Sequence, residues 1–119
     1  MTTGLQLVRY FARVDGADPS SALELVSPSL VFAFVRPDGM IDGGRAELED
    51  FIRERPRRGH RLLAVFTNGH LQLAVGESVD GDEAVGTFQV VMQVDDKGLI
   101  ERYFAALHPT LHLGVDALS

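Results

Sequence analysis

The residues able to do chemistry are few and scattered. Tyr10 stands in LVRYFARV at the border of an apolar helical stripe, where a phenol can pack its ring or offer its hydroxyl to one polar ligand atom. His60 opens a strand after RPRRG, and imidazole is the side chain suited to moving protons near neutral pH. Arg102 sits in IERYFAAL. An inward-facing guanidinium must find a carboxylate, either a ligand's or that of an internal acid such as Glu77. His108 and His112 have the spacing of a helical metal pair, but Pro109 follows the first and no third ligand stands nearby, so neither a metal nor a cofactor is expected. His70 follows an Asn-Gly turn and is expected to face solvent. RERPRRGHR gathers Arg53, Arg55, Arg57, Arg58 and Arg61. Such a patch can meet a phosphate or an acidic partner, yet a helix C-terminus favours cations without any ligand. The acids Asp80, Asp82, Glu83, Asp95 and Asp96 crowd two hairpin turns, which suits turns and edges better than paired-carboxylate catalysis.

The whole chain bounds these options. Its 119 residues make one domain the natural count, with room for one core. A net charge of −6 argues against nucleic-acid and anionic-membrane binding. The absence of cysteine excludes disulfides and thiolate chemistry, and permits the cytosol, where we expect the protein to act. MTTGLQLVRY does not read as a signal peptide, and the longest apolar run, LVFAFV, is too short to span a bilayer.

The positioning elements follow from periodicity. Leu7, Phe11 and Val14 share one helical face, with Arg9 and Arg13 opposite. Pro19 opens a second helix, SALELV. LVFAFVR is a strand apolar on both faces, expected to be covered on both, and RPDG turns it into a short partner, MID. GGRAELEDFIRERP reads as a helix with Leu48, Phe51 and Ile52 inward. HRLLAVFT, HLQLAVGESV, AVGTFQVVMQV and LIERYFAALH form a four-strand meander, its first hairpin marked by Asn68-Gly69. Helices on one face of a curved, mainly antiparallel sheet make an α+β cone whose wide end stays open unless filled.

That element order, with RYFARVDGAD early and GRAELEDFI in the middle, resembles the nuclear transport factor 2-like superfamily, a cystatin-like fold that includes ketosteroid isomerase and the SnoaL-type cyclases. The likeness covers about residues 5–108 of a single domain, 1–119, with 109–119 as a tail. Ketosteroid isomerase has an Arg-Tyr pair in its first helix, matched here by Arg9-Tyr10; there the phenol stabilises an oxyanion beside a protonated aspartic acid, and a second aspartate is the base. The resemblance puts Phe34 at the base position and Val90 at the second acid. SnoaL-type cyclases carry an acid on the last strand after a Gly-x-Ile-x-Glu pattern. GLIERYFAAL carries Gly98, Ile100 and Glu101 in that order, one residue short of the full pattern, and offers Phe104 where the acid belongs. The usual acids and bases are therefore missing from these positions.

These readings predict a small, mostly apolar or carboxylate-bearing ligand among Tyr10, Phe32, Phe34, Phe66, Phe88, Val90, Met92, Arg102 and Phe104; alternation puts Ile100, Arg102, Phe104 and Ala106 on one face, and the resemblance implies that this face meets the cavity. An isomerase, cyclase or hydrolase built on Tyr10, His60 or Arg102 is the alternative. A protein-interaction module acting through its sheet is another. A homodimer across the open sheet face is expected in each case, because AVGTFQVVMQV is apolar on both faces.

Overall fold

A computed structural model describes residues 5–56 and 58–111. The expectations for residues 1–4, Arg57, His112 and the rest of the tail lie outside the described residues. Helix α1 (Gln6–Val14) is followed by a 3-10 helix (Pro19–Leu25), the hairpin β1 (Val26–Arg36) and β2 (Gly39–Gly43), helix α2 (Arg45–Glu54), and the meander β3 (Gly59–Asn68), β4 (Leu71–Asp80), β5 (Glu83–Val94) and β6 (Ile100–His108). The strands form one open mixed sheet in the order β2-β1-β6-β5-β4-β3, in which only the β1–β6 pair is parallel.

Helix α1 buries Leu7, Tyr10, Phe11 and Val14, the i, i+3, i+4, i+7 stripe, against the concave face of the sheet. Its N-cap, Leu5, has no capping side chain. The buried Gln72 of β4 serves instead: its Oε1 accepts the Leu7 backbone N–H at 2.9 Å, satisfying a donor that the helix start leaves open. Helix α2 adds Leu48 and Ile52 to the same core, beside Phe32, Val90, Met92 and Ile100.

The curvature has local causes. Register slips leave one extra residue in β3 at Leu63, in β5 at Val85 and in β6 at Glu101. An extra residue in one strand bends it and raises its twist. At the bend, Gly76 lies opposite Phe88; a Cβ at Gly76 would sit 2.5 Å from the Arg61 carbonyl oxygen and 2.9 Å from the Phe88 ring. The glycine therefore leaves the ring its place over the strand.

Three expectations of local structure change. The second helix is a 3-10 turn, and β1 begins at Val26, four residues ahead of Leu30. Strand β1 is covered on one face only, since Val31 is 54% exposed. The Asn-Gly hairpin forms, but Asn68 pairs with Leu71, so the turn residues are Gly69, at φ +61°, and His70. A two-residue hairpin with glycine first matches the strand twist with a single positive φ.

Candidate functional site

The bent sheet diverges from the C-terminal ends of both long helices and leaves a cavity of about 800 Å³. Its inner wall is aromatic: Tyr10 and Phe11 from α1, Phe34 from β1, Phe51 from α2, Phe88 from β5 and Tyr103 from β6. Charged side chains, among them Arg36, Asp38, Glu54, Arg55 and Arg58, stand around the same space.

Tyr10 and Tyr103 meet edge to face, ring centroids 5.2 Å apart. Both are buried, and burial is the main reason each phenol holds its proton more tightly than usual. Tyr10 is pushed well above 10.0 by desolvation and then by its neighbour's charge, while the Arg55 guanidinium pulls the other way. Tyr103 is pushed up to about 12 by desolvation, eased by hydrogen bonding with Tyr10 and by the charge of Arg55. Two protonated phenols thus stand side by side on an apolar wall.

His60 lines the cavity one ring away. Phe11 contacts Tyr10 at 5.2 Å and the imidazole at 4.7 Å, and Phe88 packs edge-on against the imidazole at 5.3 Å. Asp15 is the C-cap of α1. One of its oxygens accepts the His60 backbone N–H at 2.8 Å; the other lies 2.7 Å from Nδ1. This double grip sets ring orientation and, in the neutral ring, favours the tautomer with hydrogen on Nδ1, which leaves Nε2 as the acceptor; Nε2 has no hydrogen bond among the described residues. An imidazole oriented by a carboxylate is the arrangement a general base requires.

The other expected residues are distributed differently. Phe34 and Phe88 line the cavity. Phe32, Val90 and Met92 are buried in the core beneath it. Phe66, 60% exposed, and Phe104, 43% exposed, lie on the opposite, helix-free face together with Arg102. One cause explains these reversals. In β6, Gln93 pairs with Arg102 and Val94 with Ile100, leaving Glu101 as an extra residue, so the inward set becomes Ile100, Tyr103, Ala105 and Leu107. In β3, Leu63 is the extra residue and Phe66 turns outward. A slip of one residue moves every later side chain to the other face. Glu77 is buried but bonded to Arg61, not to Arg102.

Sequence reading overlooked Asp15 and Tyr103, and took Arg55 only as one cation of the RERPRRGHR cluster. Asp15 was legible only as part of a helix-ending DGAD; its place one turn beyond Phe11, on the inward face of α1, was the available signal. Among the described residues no group of three or more His, Asp or Glu is arranged to hold a metal ion, and no helix is long and apolar enough to cross a membrane.

No family model matches this sequence, and no curated protein matches it either. Solved structures do. A protein from Sphaerobacter thermophilus is 21% identical, over 87% of this chain and 93% of that one, with a TM-score of 0.69. A ketosteroid isomerase-like protein from Kribbella flavida DSM 17836 is 19% identical over 93% of this chain and 81% of that one (TM-score 0.70). A SnoaL-like family protein from Agrobacterium tumefaciens str. C58 is 14% identical over 91% and 99% (TM-score 0.69). Identities this low establish the fold alone: the chain has the nuclear transport factor 2-like, SnoaL-like α+β cone.

Proposed function

From this nuclear transport factor 2-like cone, we propose that the protein is an acid–base enzyme acting on a small, mostly apolar carbonyl compound. The observation that carries the reading is the Asp15–His60 pair on the wall of an aromatic cavity. Nε2 of His60 takes a proton from the carbon beside the carbonyl. The released electron pair moves onto the carbonyl oxygen, which accepts a hydrogen bond from the phenol pair. The imidazolium then returns the proton to another carbon, giving isomerisation, or to a departing hydroxyl, giving dehydration. Both phenols keep their protons at neutral pH because burial disfavours the anion, so they act as donors. The base thus comes from β3 instead of the Phe34 position that the ketosteroid isomerase resemblance marks. The cytosol is the proposed site of action.

The test is deuterium exchange. 2-Acetylnaphthalene in D2O, followed by NMR, should lose its methyl protons faster with the protein than in buffer. His60→Gln should slow the catalysed exchange by about 10²- to 10⁴-fold, the usual share of a general base. Asp15→Asn should fall between. Exchange no faster than in buffer, or unchanged by His60→Gln, overturns the reading.

A second observation supports self-association. Across the helix-free face, register aligns Ala33, Phe104, Val91, Leu73 and Phe66 in one apolar row spanning five strands. An apolar row of this extent suits a second copy of the same sheet.

A further inference from the structure

Arg55 has no role in the reaction so far. It is the C-cap of α2, where the backbone leaves the helix at φ −69° and ψ 150°, and its half-buried side chain lines the cavity. Among the described residues its side chain makes one hydrogen bond, from a terminal guanidinium nitrogen to the Arg58 carbonyl at 2.8 Å. Among the described residues it forms no ion pair.

The neighbouring charges are answered locally. Arg36 faces Asp38 at 3.6 Å, Asp50 is bonded to Arg53, and Glu47 accepts the Gly44 backbone N–H at 2.6 Å. Glu54 and Arg58 line the same space and are exposed, so their charges are screened by water. Of the arginines that line the cavity, Arg55 is the one half withdrawn from water and, among the described residues, without a carboxylate. Its charge also reaches the wall of the cavity, where it favours ionisation of both Tyr10 and Tyr103.

We infer that Arg55 is the anion-binding arm of this cavity, and that the natural ligand carries a carboxylate on its apolar body. A guanidinium fixed by one carbonyl still presents further donors in a planar fork, the geometry that grips a carboxylate with two bonds. The inference rests on the proposed binding of a small molecule here, and adds to it where the anionic group goes: toward the end of α2, with the apolar body against the aromatic wall. The clamp that the family resemblance suggested for Arg102 thus passes to a residue of the basic RERPRRGHR segment.

Two probes of similar shape test this. 2-Naphthoate carries the carboxylate; 2-acetylnaphthalene replaces it with a neutral ketone. Dissociation constants come from titration calorimetry on the full chain. The wild type should bind naphthoate more tightly by about 10- to 100-fold, the range expected for hydrogen bonds to a charged group. Arg55→Met should abolish that preference and leave the ketone within about two-fold of wild type, because the aliphatic volume is kept. Arg53→Met, whose guanidinium faces Asp50, should change neither constant. Circular dichroism checks that each variant folds, and Arg55→Lys should keep part of the preference. A preference that survives in Arg55→Met, equal binding of both probes by the wild type, or binding of neither overturns the inference. Ketone exchange that depends on His60 without a naphthoate preference sinks the anion arm alone. A naphthoate preference without exchange sinks the proposed catalysis alone.

Discussion

The chain has two tyrosines and no tryptophan. Its tyrosinate absorbance near 295 nm therefore reports Tyr10 and Tyr103 alone, both on the cavity wall. Raising the pH is the perturbation. An exposed phenol loses its proton near pH 10, whereas Tyr103 is held to about 12 and Tyr10 well above 10.0. At pH 11 roughly a tenth of folded Tyr103 is ionised, against roughly nine tenths in the unfolded chain. Both folded values are raised, so below about pH 10 neither state loses protons and stability is complete. Above it the unfolded chain releases protons that the fold retains. Stability then falls by about 1.4 kcal/mol per pH unit for each phenol. By pH 12 Tyr103 alone accounts for a loss of about 2–3 kcal/mol, a large fraction of a small domain's stability. The 295 nm rise and the loss of far-UV circular dichroism should therefore coincide, well above pH 10. A step worth one tyrosine near pH 10, with the dichroism intact, would refute the burial argument and the donor role built on it.

Three further outcomes follow from single contacts. Gly76→Ala places a methyl against the Arg61 carbonyl and the Phe88 ring, and should cost about 1–3 kcal/mol in urea denaturation while weakening ligand binding, because Phe88 supports His60. Gln72→Leu strands the Leu7 N–H beneath β4 and should cost about 1–3 kcal/mol by the same measurement. Phe104→Glu sets a charge in the middle of the apolar row on the outer face. It should turn a sedimenting dimer into a monomer with little change in monomer stability; a wild-type monomer at micromolar concentration refutes the dimer.

Periodicity made the elements legible. The α1 stripe, the α2 core residues, the hairpin signals and the strand-rich second half all project a repeating physical constraint onto neighbouring residues. The inward face of β6 was not legible, because it depends on one extra residue at Glu101, and nothing in LIERYFAALH distinguishes a bulge from plain alternation. Phe66 fails for the same reason one hairpin earlier. The Asp15–His60 contact joins residues 45 apart in sequence, and no spacing rule links a helix C-cap to the start of a distant strand. Tyr10 was legible as an amphipathic residue at a stripe border. Its partner Tyr103 was not, since alternation had sent it outward.

Three local preferences are broken around the cavity, and they are broken together. Helix C-termini favour cations, and α1 obeys with Arg13 in its last turn; the residue that ends it is nevertheless a carboxylate, Asp15. Buried hydroxyls usually pair with backbone or water, yet here two phenols face one another on an apolar wall. Half-buried guanidinium groups usually hold a carboxylate, and Arg55 holds a carbonyl. Each choice costs stability where a plainer residue would not. A fold can carry one such exception by accident of descent, but three that converge on one space call for a common cause. The proposed ligand would supply it: an acidic proton for the proposed base His60, an oxygen for the phenols, and an anion for Arg55. Local rules fail where function is placed, and in this chain they fail at the ends of both helices, whose capping residues Asp15 and Arg55 line a common pocket.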